Sequence, residues 1–351
     1  MRILDAKTAL EERRKQAITD NLTYELNGQR KTVTKKMVNG EMELMQINRP
    51  LGEMLTSPEG LDGILQKISL DVDFGREQVP LLYTPIYRRL SNPRFPRLVP
   101  IAEFSQARAV FLEHLEGEEV KFGSRIMAAG DGVPIVVYAA GFDGYTIETE
   151  AFDETWRLDQ FNQALGEAYN ALLNHIHLDP IINYNYDSKN TTNAVNTTSL
   201  TYLEKIRATI RKGLKHAAQD KNSLTGAVRK PTILLANSAN QVDITDALSR
   251  MVINGTEYAA LSQITTLIFY DGWSITVGDK TYTYDGVPND TVYLIDPTRY
   301  FMELIKQDLT IESGSPDITR LTRAPIAAYA MRGVYASPAD AVEKVTLPTE
   351  S

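Results

Sequence analysis

The chain has 351 residues, 43% of them hydrophobic, which is enough for one large or two medium domains with a real core. It contains no cysteine, so disulfides, thiolate metal sites and thiol nucleophiles are excluded, in keeping with a reducing cytoplasm. The formal net charge is −8, whereas capture of nucleic acid by affinity usually goes with a basic surplus; no apolar run reaches membrane-span length, and residues 1–20 hold no signal-peptide core.

Residues 1–55 are polar, with Ile3, Ala6, Leu10 and Ala17 forming only a weak helical stripe. Arg13, Arg14 and Lys15, then Arg30, Lys31, Lys35 and Lys36, make this arm locally basic. It reads either as a solvated terminus or as an arm that orders against a neighbouring subunit or nucleic acid. Ser57 and Pro58 suit an N-cap and first helical position, and Leu61, Ile64, Leu65 and Ile68 predict a short amphipathic helix. Asp71 and Asp73 follow without a ligand set around them and read as solvated carboxylates. Pro80, Pro85, Pro93, Pro96 and Pro100 then predict extended, irregular backbone that cannot be a central strand.

From Ala107 to Phe142 the pattern turns to β. Residues 109–112 and 120–122 flank Glu116-Gly117-Glu118-Glu119, which reads as a hairpin turn. Its tip carries Glu116, Glu118 and Glu119, and Lys121 and Arg125 follow on the return; such a hairpin is either solvated or reaches a partner. A second turn at 130–132 leads to a strand over 133–140.

The strongest helical signal lies between Phe152 and Pro180, where Leu158, Phe161, Leu165, Ala168, Leu172 and Ile176 share one face. Asp153 is placed to cap it, and Asp179-Pro180 to stop it. Such a helix is roughly 35–40 Å long. Gly166 in its middle costs about 1 kcal/mol relative to Ala, so a close neighbour is expected there.

Residues 183–198, rich in Asn, Thr and Tyr, read as a long surface loop. A second helix follows, with Leu203, Ile206, Ile210, Leu214 and Ala217 on one side and Thr201 and Glu204 at capping-box spacing. Lys205, Arg207, Arg211, Lys212 and Lys215 occupy much of the rest. A buried strand at 232–236 leads to a helix with Ser238 and Gln241 also at capping-box spacing. Strands are expected at 264–270, 273–277, 281–284, 292–295, 326–335 and 343–347, with 299–311 open between helix and strand. The sum is α+β rather than an alternating βαβ series.

Catalytic signatures are absent: the chain has no GxxxxGK[ST], no GxGxxG opening a helix and no GxSxG. His175 and His177 are two apart, so on a helix they point in different directions and do not chelate as an i, i+4 pair would. No cofactor or metal site is read from the sequence.

The run from Phe111 to Gly123 (FLEHLEGEEVKFG), Val137-Tyr-Ala-Ala-Gly-Phe142 entering the long helix, Val292-Tyr-Leu-Ile-Asp-Pro297, Met331-Arg-Gly-Val-Tyr-Ala-Ser-Pro338 and Val345-Thr-Leu-Pro348 together resemble a tailed-bacteriophage major capsid protein of the Hong Kong 97 type. The resemblance implies the α+β fold of that family: long spine helix, extended β-hairpin loop, peripheral and axial domains. It divides the chain into an N-terminal arm and short helix (1–75), a proline-rich extended connection (76–105) and an extended loop hairpin (106–135). The peripheral domain with the spine helix (136–230), the axial domain (231–321) and a return to the peripheral domain (322–351) follow. It further implies a non-enzymatic subunit that tiles hexamers and pentamers of itself into an icosahedral shell around double-stranded DNA, contacted non-specifically. Portal, scaffolding and decoration or minor capsid proteins are the other implied partners, with no cofactor and no membrane, in the virion and, during assembly, the host cytoplasm. Glu116, Glu118, Glu119, Lys121 and Arg125 are the inter-subunit contacts this reading picks out. A nanocompartment shell of the same fold and an unrelated soluble enzyme are the alternatives.

Overall fold

The computed structural model describes residues 58–100, 132–146, 155–220, 228–253, 256–277, 279–297, 301–313 and 322–349, with short strands at 3–5, 22–26, 29–33, 36–38, 41–43, 106–107 and 125–126. In chain order the elements begin with β1 (Ile3–Asp5), β2 (Leu22–Leu26), β3 (Gln29–Val33), β4 (Lys36–Val38), β5 (Glu41–Glu43) and α1 (Pro58–Gln78). Next come β6 (Arg88–Ser91), β7 (Leu98–Val99), β8 (Gln106–Ala107), β9 (Arg125–Ile126), β10 (Val133–Pro134), β11 (Val136–Thr146) and α2 (Thr155–Ile182). After them lie β12 (Thr191–Thr192), α3 (Tyr202–Gln219), β13 (Ile233–Ala236), α4 (Gln241–Leu248), β14 (Met251–Ile253), β15 (Thr256–Tyr258) and β16 (Thr266–Phe269). The chain ends through β17 (Gly272–Val277), β18 (Lys280–Asp285), β19 (Thr291–Ile295), β20 (Phe301–Ser313), β21 (Thr322–Ala336), α5 (Pro338–Ala341) and β22 (Val342–Thr346). The content is α+β, and within the stretch left open at 299–311 residues 301–311 are strand, not helix.

The chain forms two compact units, one of residues 1–81, 137–173 and 307–331, the other of 82–136, 174–306 and 332–351. In the first, β1 pairs parallel with β2 and β2 antiparallel with β3, so the weak helical stripe of the arm is not realised at 3–5. The expected short helix is the 21-residue α1, which begins at Pro58 as read but runs on to Gln78. Its second half buries charged groups beside apolar ones: Asp71, Asp73 and Arg76 are buried along with Leu70 and Val72. The expectation that Asp71 and Asp73 are solvated is therefore overturned. Asp73 lies 3.4 Å from Arg76, and Asp71 accepts from Asn162 of α2 at 3.5 Å. Asn170 of α2 donates to the carbonyls of Arg76 (2.6 Å) and Val79 (2.8 Å).

The two helices touch through glycines. A Cβ on Gly166 would meet the Val72 carbonyl oxygen at 2.0 Å, and one on Gly75 would meet the Gln163 carbonyl oxygen at 1.9 Å. The close neighbour expected at Gly166 is thus the backbone of α1. Such contact lets the polar groups of both helices bond each other, which their burial requires.

The second unit is built on a five-stranded sheet, β12-β22-β19-β13-β16. The β12–β22 and β13–β16 pairs are parallel, and β22–β19 and β19–β13 are antiparallel. Every residue of β13 and β19 is buried, the pattern of strands covered on both faces. One face meets Ile206, Ile210 and Leu214 of α3 and Ile244 and Ala247 of α4. On the other face, Tyr293 donates its hydroxyl to the carbonyl of Ile182, at the end of α2.

Local signals explain most ends. Thr201 caps α3 with the full reciprocal capping box to Glu204. The stop expected at Asp179-Pro180 is overrun, because α2 carries Pro180 in its last turn and continues to Ile182. The turn closes beyond the proline, where Asn183 N–H donates to the Asp179 carbonyl at 2.9 Å. The capping box expected at Ser238 and Gln241 does not form, because Ser238 bonds the Asp271 carboxylate instead. The expected loop at 183–198 contains the short 3-10 turn Ser188–Asn190 and β12, pinned by Asn190, whose amide donates to the carbonyls of Ala339 (2.8 Å) and Val342 (2.7 Å).

Candidate functional site

Two buried carboxylates organise the second unit. Glu303, inward-facing on β20, accepts from the Tyr83 hydroxyl at 3.0 Å and from Arg89 Nε at 2.9 Å, and pairs with Arg332 of β21. Both Glu303 and Arg332 are fully buried. His177 of α2 places Nε2 3.7 Å from the same carboxylate and stacks on Tyr83, centroids 3.7 Å apart. Tyr87 meets the His177 ring edge-on and donates to its backbone carbonyl at 2.6 Å. Burial, and then the Glu303 charge, push the phenols of Tyr83 and Tyr87 up, so both remain neutral donors. A carboxylate whose oxygens hold two guanidiniums and a phenol is committed as an acceptor, which is the arrangement of a lock rather than of a general base.

Glu343, on β22, is the second. Thr192 donates to its Oε1 at 2.6 Å, His216 Nδ1 lies 2.8 Å from the same oxygen, and Arg229 Nη1 lies 3.0 Å from Oε2. Arg229 also donates to the carbonyls of Val342 (2.8 Å) and Lys189 (2.7 Å), fastening the chain around β12 and β22. Among the described residues no group of three or more His, Asp or Glu is arranged to hold a metal ion. Neither carboxylate cluster was singled out from sequence. The available signal was the alternation Ala328, Ala330, Arg332 on β21, where a cation continues a buried, small-residue face.

The surfaces offer more than the interior. The β17–β18 hairpin pairs Trp273 with Tyr284 and Ile275 with Tyr282 on one face, and Ser274 with Thr283 and Thr276 with Thr281 on the other. Gly272 opens it at φ +84°, a conformation that disfavours side chains. Tyr284 stacks on Trp273 and on His175, at 5.3 and 4.3 Å between centroids, anchoring the base of the hairpin to α2. Farther out, Tyr282 is 51% exposed. His175 and His177 are thus engaged by different rings, as their spacing implied.

Of the charged hairpin residues, Arg125 begins β9, opposite Ala107 of β8. This antiparallel pair brackets the expected turn, and β7 pairs with β10 outside it. Glu116, Glu118, Glu119 and Lys121 lie outside the described residues. No helix among those described is long and apolar enough to cross a membrane.

No family model and no curated protein matches the chain. Solved structures overlay on it loosely. A virus-like particle from Pyrococcus furiosus matches at TM-score 0.46 and 11% identity, over 80% of this chain and 98% of that one. The capsid of Myoviridae phage XM1 matches at TM-score 0.44 and 12% identity, over 71% and 89%. The SrpI encapsulin complex from Synechococcus elongatus matches at TM-score 0.42 and 10% identity, over 78% and 90%.

Proposed function

We propose that the chain is the repeating, non-enzymatic subunit of a closed protein shell of the Hong Kong 97 type, a tailed-phage head enclosing double-stranded DNA. The observation that carries this is the element order. A paired, extended segment (β8 and β9 inside β7 and β10) precedes the 28-residue α2, and a five-stranded unit with its own hairpin follows. That is the order the sequence resemblance implies. The committed carboxylates support it too, since Glu303 and Glu343 serve rigidity rather than turnover.

In this reading residues 106–135 form the extended loop that lies over an adjacent subunit, with Glu116, Glu118, Glu119, Lys121 and Arg125 as contacts. Residues 136–230 and 322–351 form the peripheral domain. Residues 231–321 form the axial domain, whose β17–β18 hairpin faces the local five- and six-fold axes. Rings of five or six copies close through heterologous contacts, one patch meeting a different patch on the next copy. Portal, scaffolding and decoration proteins complete the particle.

A nanocompartment shell that encloses cargo enzymes is the second reading. The basic N-terminal arm and the proline-rich connection at 80–100 favour the viral one. Purified particles treated with nuclease decide between them. Protected double-stranded DNA is the expected content, and a protein cargo without nucleic acid would overturn the viral reading.

A further inference from the structure

The chain as a whole is acidic, with 45 Asp and Glu against 37 Lys and Arg, yet α3 concentrates Lys205, Arg207, Arg211, Lys212 and Lys215 against a single acid, Glu204. Glu204 is spent within the fold, accepting from the Thr201 N–H at 2.9 Å and the Tyr258 hydroxyl at 2.9 Å. Arg207 is buried, and its guanidinium donates to the carbonyls of Ala247, Ser249 and Ala259. Arg211, Lys212 and Lys215 remain exposed, at i, i+1 and i+4, on the side opposite Ile206, Ile210 and Leu214. Lys212 donates to the Asn193 carbonyl at 3.1 Å, and among the described residues no acid engages Arg211 or Lys215.

The surroundings fit the same partner. The segment beside α3, tied to it where Val195 N–H donates to Thr209, exposes Asn193, Asn196, Thr197 and Thr198, neutral groups that can donate hydrogen bonds. The nearby acids are already paired, Asp220 with Arg229 and Glu343 with His216 and Arg229. None of the large exposed apolar side chains lies on α3 or on residues 193–199. A protein partner would call for an apolar centre, whereas a phosphate backbone asks only for charge and donors.

We infer that this face of α3 is a phosphate-binding surface, on which Arg211, Lys212 and Lys215 meet the backbone of double-stranded DNA without reading its sequence. The inference rests on the proposed shell, whose enclosed genome supplies the polyanion at high local concentration. It assigns the non-specific DNA contact to three named side chains in a protein whose net charge opposes such binding.

The test is a fluorescence-anisotropy titration of a short random-sequence DNA duplex with the purified full-length chain over a range of salt concentrations. The triple variant Arg211→Gln, Lys212→Gln, Lys215→Gln is compared with the unaltered chain, and Lys280→Gln, on β18, serves as the charge control. Each phosphate contact contributes about 0.9 to the slope of log K against log salt, so the triple variant should be shallower by about 2–3, and the control unchanged. If the triple variant fails to fold by circular dichroism, the single variants Arg211→Gln and Lys215→Gln should each remove about one unit of slope. An unchanged slope, or no duplex binding by the unaltered chain, overturns the inference.

Negative-stain images of the same samples separate it from the shell proposal. Normal particles with an unchanged slope reject the phosphate surface and leave the shell. Slope-dependent duplex binding without particles rejects the shell and leaves the surface. Loss of particles with an unchanged slope makes this face a contact with an acidic surface of a second copy, and rejects the inference.

Discussion

Replacing Gly166 by Ala asks whether the α1–α2 contact is what the glycine is for. In an unconstrained helix interior the change should stabilise by about 1 kcal/mol, because Ala is the better helix former. Here the new methyl would stand 2.0 Å from the Val72 carbonyl oxygen and 2.8 Å from the Arg76 nitrogen. Both are backbone atoms of a packed helix, so relief requires the helices to part. Overpacking of this kind costs about 1–3 kcal/mol. Parting them also stretches the Asn170 amide bonds to the Arg76 and Val79 carbonyls, and a buried polar group left unmatched costs about 1–3 kcal/mol more. Set against the propensity gain, the net expectation is destabilisation by about 1–5 kcal/mol. Urea unfolding of the dissociated full-length subunit measures it, with Ala164→Gly, at an exposed position of the same helix, as the propensity control. A Gly166→Ala chain as stable as the parent, or more so, would show that the two helices do not meet as described.

Glu303→Ala should destabilise the chain by about 3–5 kcal/mol by leaving the Arg332 guanidinium buried without its carboxylate, and Glu303→Leu with Arg332→Leu should recover most of that loss in the same denaturation assay; a single variant as mild as the double would contradict it. Burial pushes Tyr270 and Tyr293 up to about 12, so both bind their protons more tightly folded than unfolded. Their contribution to stability is full below the ordinary phenol value of about 10 and is lost as pH rises from there through 12, and an ultraviolet titration showing both phenols ionised well below that range in the folded chain would refute it. Glu118→Lys with Glu119→Lys should leave a soluble, folded subunit whose shells form poorly or melt at lower temperature, each exposed pair being worth only about 0–1 kcal/mol but repeated at every subunit. Normal particles of unchanged heat stability would make the hairpin merely solvated.

Much of the architecture was legible because it depends on short-range rules. The α3 cap follows from Thr201 and Glu204 alone, and the strands of the β17–β18 hairpin from the short β-prone runs at 273–277 and 281–284. Gly166 announced its close neighbour because a glycine inside a strong helical stripe has a cost that packing must offset. What failed depended on partners distant in sequence. Asp71 and Asp73 look solvated until Arg76 and Asn162 are placed beside them. Ser238 has capping-box spacing, but Asp271, 33 positions away, takes its hydroxyl. Pro180 stops a helix only if the next turn has no other closure, and Asn183 provides one. Glu303 and Arg332, 29 positions apart, could not be joined before β20 and β21 were known to be strands. Of the hairpin contacts read from the sequence, Arg125 has an assigned strand, and the acidic tip and Lys121 lie outside the described residues.

The central claim, that this chain builds a shell from copies of itself, is tested most directly by negative-stain electron microscopy of the purified full-length protein. Closed particles of uniform diameter, or free rings of five and six subunits, are the expected result. A homogeneous monomer that forms neither under any condition tried, and that turns over a substrate through a single identifiable side chain, would contradict it.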